Sequence, residues 1–388
     1  MDAGRICAEL VAIRSENPPG TTTDAIEYIR SLLEGLGVGS SITSNANGRS
    51  NLVTTGKKQR LLLCGHVDVV PAMDEGWTYP PFSGTVKDGI VWGRGATDMK
   101  GGCAALLAAC DAVLQTRSEL PATLAFVCDE ETGGEYGVRY LLAHHLISPC
   151  DCVIAEPTPV RSPCIGQKGL LRLEMKFSGT PGHGSLYPAV GVSAIMEALS
   201  FLHYVNSLHE KEFPVDETLK KIIAHSSEVF SGEFNIGRGE EILQRLMFNP
   251  GVIHGGEKTN IVAQHCDLDL ELRVPWGCDI PLLVADLKAH APHGTVTSET
   301  VHEPSLTDPG CALVSIACRE VRNVYGGDVS PIVQWAASDA RHLRSAGFNV
   351  IEYGPGELST LHAVNERVSI AALDHASAIY QGIMKAYI

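Results

Sequence analysis

Residues 60–68 read Arg60-Leu61-Leu62-Leu63-Cys64-Gly65-His66-Val67-Asp68. The apolar run ends abruptly at Gly65, and a histidine and an aspartate follow at once. A short apolar run that ends at glycine is typical of a buried strand. Two later stretches repeat the pattern, because Ala122–Cys128 precedes Glu130-Glu131 and Cys152–Ala155 precedes Glu156. Apolar strands of this kind predict an α/β fold with a mostly parallel sheet flanked by helices.

The segments between these strands predict the helices that cover the sheet. An Ala/Leu-rich helix is predicted at Lys100–Leu114. Others are predicted at Ala8–Arg14, after the capping cluster Thr22-Thr23-Asp24, and near Gly134–His144, with a hairpin at Thr85–Trp92. The same alternation returns after Pro304, with helices at Cys311–Val324, Ala340–Ala346 and Ile370–Ala386 and strands at Pro331–Trp335 and Asn349–Tyr353.

The middle of the chain follows a different pattern. Leu171–Phe177 alternates apolar and polar residues, as in a half-exposed strand. It is followed by a predicted helix at Val192–Leu208, strands at Gly251–His254 and Cys266–Val274, a helix at Ile280–His290 and a strand at Thr295–His302. This order is that of a split βαβ, ferredoxin-like domain. We therefore predict a discontinuous catalytic domain, 1–166 and 303–388, with an α+β domain inserted at 167–302.

Composition limits the class of protein. The chain has 388 residues, of which 44% are hydrophobic and 19% charged, and this fits a globular protein of two domains. A net charge of -15 without any basic run argues against nucleic acid as a partner. No apolar run approaches the ~20 residues that span a bilayer, and the N-terminus predicts an amphipathic helix rather than a signal peptide. We therefore expect a cytoplasmic protein without a membrane anchor.

Polar side chains that follow the predicted strands form a candidate metal site. The carboxyl ends of the strands in an open α/β sheet converge on one crevice. The candidates are His66, Asp98, Glu130, Glu131, Glu156 and His362. Taken singly, each could be a surface pair or a turn residue, but their shared position favours a site. Two histidines with several carboxylates suit zinc, and one aspartate often bridges two ions about 3.5–4 Å apart.

The sequence resembles the dinuclear zinc peptidase and deacylase family. That family includes succinyl-diaminopimelate desuccinylase, acetylornithine deacetylase, aminoacylase and glutamate carboxypeptidase. The resemblance covers essentially the whole chain. It is carried by Gly65–Pro71, Gly93–Gly102, Asp129–Gly133, Ala155–Thr158, Gly182-His183, Ser338–Arg341 and His362 with Asn365-Glu366.

The resemblance implies a role for each metal-site residue. His66 and Glu156 would hold one zinc, Glu131 and His362 would hold the other, and Asp98 would bridge the two. Cobalt would be a possible substitute for zinc. Asp68 would hydrogen-bond to the far nitrogen of His66 and fix its tautomer. Glu130 would be the general base that takes a proton from the attacking water.

The resemblance also implies how substrate is bound. Asn260, Arg273 and Arg341 would grip a substrate carboxylate, a task that suits the planar guanidinium group. His183 would reach the active site of the other subunit in a homodimer formed by the inserted domain, where it would stabilise the oxyanion.

Three functions stay open. The first is an N-acyl amino acid deacylase, of the desuccinylase or deacetylase type used in amino-acid biosynthesis. The second is a zinc exopeptidase, either a carboxypeptidase or a dipeptidase. The third is a metal-binding protein without catalysis. The bacterial desuccinylase carries an Arg-rich stretch where this chain has Gln167-Lys168-Gly169-Leu170, which weakens the succinyl-specific assignment but not the deacylase chemistry.

Overall fold

The computed structural model describes residues 1–45 and 47–388. They form two compact units. The first comprises Met1–Ile165, Leu306–Ile332 and Ser338–Ile388, and the second comprises Gly166–Ser305 and Val333–Ala337. The predicted α/β class is confirmed. Among the described residues, no helix is both long enough and apolar enough to cross a membrane.

The first unit is built on a mixed sheet whose centre is parallel. Its strands are β1 (Ser40–Ser44), β2 (Ser50–Thr54), β3 (Leu61–His66), β6 (Thr123–Val127), β7 (Asp151–Ile154) and β15 (Asn349–Glu352). They lie in the order β1-β2-β6-β3-β7-β15. The pairs from β6 to β15 are parallel, whereas β1-β2 and β2-β6 are antiparallel. The carboxyl ends of β3, β6 and β7 therefore share one edge of the sheet.

Helices cover this sheet. They are α1 (Ala3–Ala12), α2 (Thr23–Gly35), α3 (Lys100–Leu114), α4 (Val138–Ala143), α9 (Ala312–Tyr325), α10 (Ala340–Ser345) and α11 (Ile370–Lys385). Helix α3 is buried along most of its length because it packs against β3, α1 and α11. A smaller sheet joins β4 (Thr85–Lys87), β5 (Ile90–Trp92) and β16 (Arg367–Ser369).

The start of α3 lies so close to neighbouring main chain that positions 101 and 102 have no room for a side chain. A Cβ on Gly101 would lie 2.3 Å from the carbonyl oxygen of Ala96, and one on Gly102 would lie 2.2 Å from that of Ala155. The two glycines after Lys100 therefore bring the helix against the loops that precede it and that follow β7. These are the loops that carry Asp98 and Glu156.

Several element boundaries differ from the prediction. Helix α1 begins at Ala3, within the N-terminus where an amphipathic helix was predicted, because the Asp2 side chain caps it by accepting a hydrogen bond from the Arg5 amide, and it ends at Ala12 rather than at Arg14. Helix α4 is shorter because Gly133 and Gly134 have positive φ angles and form a turn instead. In the second unit, the strand predicted at Gly251–His254 extends back to Met247 through an irregularity beside Pro250.

The second unit is an antiparallel sheet with helices packed on it. Its strands are β9 (Gly169–Ser178), β10 (Met247–Gly255), β11 (His265–Val274) and β12 (Gly294–His302), in the order β10-β11-β9-β12. The helices α5 (Ala194–Leu208) and α8 (Ile280–Ala289) bury their apolar side chains against the alternate residues of β9 and β11. This is the arrangement of a split βαβ fold.

Between α5 and β10 the second unit carries an insertion of two helices, α6 (Glu217–Phe234) and α7 (Gly239–Gln244). The segment Val333–Ala337 belongs to the same unit because it packs on α6. The Val333 amide donates to Ser226 Oγ, and the Trp335 ring lies 4.5 Å from that of Phe230. The remaining strands, β8 (Cys164–Gln167), β13 (Ser305–Leu306) and β14 (Ile332–Gln334), lie where the chain passes between the units.

Candidate metal centre

One group of possible metal ligands lies at the carboxyl ends of β3 and β7. His66 is the last residue of β3, Glu156 follows β7, and Asp98 precedes α3. His66 Nε2 lies 3.0 Å from Asp98 Oδ1 and 3.5 Å from Glu156 Oε1. One ligand atom from each residue can lie within 4.8 Å of the other two. The three residues could therefore hold one ion.

A second group uses the other oxygen of the same aspartate. His362 Nε2 lies 3.2 Å from Asp98 Oδ2 and 3.5 Å from Glu131 Oε2. The remaining oxygen of Glu131 is buried and has no hydrogen-bond partner among the described residues. Asp98 thus turns one oxygen towards each group, which is the arrangement of a bridging carboxylate. Nitrogen and oxygen donors of this kind suit zinc.

The electrostatics of the site favour a cation. Burial, and then the charge of Asp98, raises the pKa values of Glu131 and Glu156. Burial works against ionisation of Asp98 as well, but hydrogen bonds with His362 and His66 outweigh it and hold its pKa below the usual range. Hydrogen bonds with Asp98 and Glu131 raise the pKa of His362 to about 10. Several carboxylates this close cannot all ionise easily unless positive charge lies between them.

Glu130 stands apart from both groups. It is half-buried in the short turn Glu130–Thr132, and neither of the two ligand groups found among the described residues includes it. Burial, and the charges of Asp339, Glu131 and Asp98, raise its pKa, although His66 opposes them. The neighbouring Glu131 belongs to the second ligand group. The two adjacent glutamates therefore have different surroundings.

The hydrogen bond expected between His66 and Asp68 is made with the main chain of Asp68 rather than with its carboxylate. His66 Nδ1 lies 2.9 Å from the main-chain carbonyl oxygen of Asp68, whereas the nearest carboxylate oxygen is 3.6 Å away. The carboxylate instead accepts hydrogen bonds from the amides of Glu130 and Glu131, each at 3.2 Å. Asp68 therefore supports the Glu130-Glu131 turn directly, and its main chain orients the imidazole.

Asn17 is a member of the site that sequence reasoning missed. Its side chain is buried, and its Nδ2 lies 2.9 Å from Asp68 Oδ2, 3.1 Å from Asp129 Oδ1 and 3.0 Å from Thr132 Oγ1. Asn17 thus links Asp68 to both ends of the turn that carries the two glutamates. A signal is present in the stretch Asn17-Pro18-Pro19-Gly20, but its prolines and glycine predict no more than the end of the preceding helix.

Most of the predicted substrate-binding residues lie in the second unit. His183 and Asn260 are exposed on neighbouring loops, where the Gly184 amide donates to the Asn260 carbonyl. Arg273 lies near the end of β11, and its guanidinium group contacts Glu271 at 2.8 Å. Arg341 belongs to the first unit, in the first turn of α10.

Lys168, near the start of the second unit, binds main-chain carbonyl groups of the same unit. It is buried, and its ammonium group donates hydrogen bonds to the carbonyls of Ile242 and Arg245 at the end of α7. Burial, reinforced by the charge of Arg273, lowers its pKa to about 7. Lys168 therefore anchors the helical insertion to the strand that begins at Gly169.

The chain is similar to a known protein family, to named sequences and to solved structures. Residues 62–386 match the model of peptidase family M20/M25/M40. Succinyl-diaminopimelate desuccinylase of Cereibacter sphaeroides is 30% identical over 100% of this chain and 99% of its own, and that of Hahella chejuensis is 24% identical over 84% and 81%.

Solved structures agree with the fold. An M20 family metallo-carboxypeptidase of Sulfolobus solfataricus matches with a TM-score of 0.79 at 20% identity, covering 100% of this chain and 99% of its own. A dinuclear metal-binding M20 peptidase of Bacillus subtilis matches with a TM-score of 0.65 at 14% identity, covering 98% and 96%. The family match spans most of the chain and confirms the resemblance inferred from its motifs. The chain therefore belongs to peptidase family M20/M25/M40 and is a hydrolase that acts on amide bonds.

Proposed function

We propose that this protein is a zinc-dependent amidohydrolase that removes the acyl group from an N-acyl amino acid. The supporting observation is the geometry of Asp98, which turns one carboxylate oxygen towards each of two His/carboxylate groups while Glu130 stays outside both. Relatives named succinyl-diaminopimelate desuccinylase support the deacylase class. The M20 family is metal-dependent, which supports the use of a metal ion.

In the proposed reaction, the residues of the first unit have separate roles. His66 and Glu156 would hold one zinc ion, Glu131 and His362 the other, and Asp98 both. Two such ions, when bound, polarise the amide carbonyl and make water more acidic. Glu130 accepts a proton from the attacking water and delivers it to the departing amine. Asp68 and Asn17 hold the turn that aims Glu130 and Glu131.

Turnover of a matched substrate panel tests this proposal. We expect the enzyme reconstituted with Zn²⁺ or Co²⁺ to hydrolyse N-acetyl or N-succinyl amino acids faster than dipeptides of similar size. Faster turnover of dipeptides would favour the exopeptidase alternative. Binding of zinc without turnover of either series would show that the amide substrate belongs to neither class.

Substrate binding gives a first mutational prediction. We propose that Asn260, Arg273 and Arg341 bind the substrate carboxylate. Arg273→Ala and Arg341→Ala should each raise KM about tenfold or more with a smaller change in kcat, because a charge-assisted hydrogen bond contributes about 1.5–3 kcal/mol. The matched control is Arg172→Ala, which removes the other arginine bound to Glu271. Equal KM values for free and amide-blocked substrates in the wild type would contradict this role.

We also propose that the second unit forms a homodimer and that His183 serves the active site of the partner as an oxyanion donor. Strand β10 is an edge of its sheet, and its side chains Val252 and Ile253 are exposed. Helix α5, which packs next to β10, exposes Met196 and Leu199. An edge strand beside exposed apolar side chains is suited to pairing with a second copy.

Complementation tests this assembly. Glu130→Ala and His183→Ala proteins should each be nearly inactive, and activity should return when they are dissociated, mixed and reassociated. With random pairing, about a quarter of the sites would combine an intact Glu130 with an intact His183 from the neighbour. Activity that stays at the mutant level, with subunit exchange verified by mass-tagged chains, would rule out the shared site.

A further inference from the structure

The loop that carries Asp98 is wrapped around a second buried carboxylate. Glu366 is fully buried, and its Oε1 accepts hydrogen bonds from the amides of Gly95, Thr97 and Asp98 at 3.0, 2.9 and 3.0 Å. Main-chain N–H groups of one loop that converge on one oxygen form an anion-binding nest. The conformation of the Asp98 loop therefore depends on Glu366.

Arg94 connects this carboxylate to the other ligand segment. Its Nη1 donates to Glu366 Oε2, and its Nη2 donates to the main-chain carbonyl of His362 at 3.2 Å. The Arg94 side chain is 5% exposed, so water does not replace these bonds. One guanidinium group thus joins the nest behind Asp98 to the backbone of His362.

Stability alone is a weak explanation for such a pair. Burying two charges costs desolvation energy that their attraction only roughly repays, so a buried ion pair does not by itself make a fold more stable. The contacts of Arg94 and Glu366 indicate instead that the pair fixes the positions of two ligand segments. They reach the main chain of Asp98 and of His362, which belong to distant parts of the sequence and whose side chains face each other at 3.2 Å.

We propose that Arg94 and Glu366 are positioning residues that set the spacing between Asp98 and His362 and thereby the affinity of the Asp98–Glu131–His362 group for its ion. This inference rests on the proposed metal centre. Partners behind the ligands typically change metal affinity 10–100-fold when they are mutated. The effect should fall mainly on the ion held by His362, since Arg94 holds the His362 backbone and not that of His66.

The test compares Arg94→Lys with a matched control. Lysine keeps the charge beside Glu366 but lacks the second arm that reaches the His362 carbonyl. Arg344→Lys is the control, because Arg344 forms another buried ion pair of the first unit, with Glu352, and also donates to a main-chain carbonyl, that of Val350. Zn²⁺ affinities are measured by chelator competition, and the melting temperature is measured on the metal-free proteins. His362→Ala identifies which zinc equivalent belongs to His362.

We expect Arg94→Lys to weaken the His362 equivalent at least tenfold and the other equivalent less than threefold. Arg344→Lys should change neither affinity, even where it lowers the melting temperature. Glu366→Gln, which keeps an oxygen for the three amides but breaks the ion pair, should show the same selective loss as Arg94→Lys. This second variant keeps the inference testable if Arg94→Lys does not fold.

Other outcomes separate the positioning role of Arg94 and Glu366 from the metal centre itself. Two wild-type equivalents with unchanged affinities in Arg94→Lys and Glu366→Gln would overturn the positioning role and leave the metal centre intact. Equal weakening of both equivalents together with a lower melting temperature would also overturn it, because that pattern indicates a general structural role. Fewer than two equivalents in the wild type would overturn the proposed metal centre itself, and the inference with it.

Discussion

Glu130→Gln is expected to lower kcat about 10²–10⁴-fold while both zinc equivalents stay bound. Glutamine has nearly the same shape as glutamate but cannot accept and return a proton at neutral pH. The metal groups should survive because Glu130 belongs to neither of them. The bond between Asp68 and the Glu130 turn should survive as well, because it uses the main-chain amide of residue 130.

The surroundings of Glu130 suit proton transfer. Its pKa is raised by burial and by the nearby carboxylates Asp339, Glu131 and Asp98, although His66 opposes this. A bound dication would lower the pKa again. The balance between carboxylates that raise the pKa and cations that lower it is how active sites bring a glutamate towards the working pH.

Glu131→Gln is the matched control, since it makes the same chemical change one residue away. It should lose the zinc equivalent held with His362, because Glu131 Oε2 lies 3.5 Å from His362 Nε2. Both variants are compared by steady-state kinetics and by metal analysis after dialysis. Loss of a full zinc equivalent from Glu130→Gln would show that the two glutamates have been assigned the wrong way round.

The sequence could predict that the candidate ligands lie close together, because the end of an apolar run marks the end of a strand. Each of the apolar runs before His66, Glu131 and Glu156 became a strand of the parallel part of the sheet, in adjacent positions. The helix at Lys100–Leu114 began and ended as predicted.

The residues and main-chain groups that hold the ligands in place could not be predicted in the same way. Asn17 contacts Asp68 and Asp129, which are 51 and 112 residues further along the chain, and no periodicity links such positions. The main-chain carbonyl that binds His66 depends on the turn after β3 rather than on a side chain. Glu366 was part of a recognised motif, but its partners are the backbone amides of a distant loop and leave no trace in composition.

Asp98→Ala is expected to abolish turnover and to weaken both zinc equivalents at least about 100-fold, more than replacement of a partner behind a ligand typically does. No other described residue belongs to both ligand groups. Its two oxygens lie 3.0 Å from His66 Nε2 and 3.2 Å from His362 Nε2, so both groups lose a ligand together. His66→Ala and His362→Ala should each weaken one equivalent and leave the other within a few-fold of wild type.

Asp98→Asn tests whether the two groups need both carboxylate oxygens or only a side chain of this size. Asparagine keeps the size of the side chain but has only one oxygen acceptor, because its second terminal atom is an amide nitrogen that donates. It should therefore retain one zinc equivalent and lose the other, whereas alanine loses both. Isothermal titration of the metal-free proteins with Zn²⁺ measures the stoichiometry directly. A wild type that binds a single equivalent at saturating zinc would contradict the bridge, as would an Asp98→Ala protein that still binds one ion with wild-type affinity.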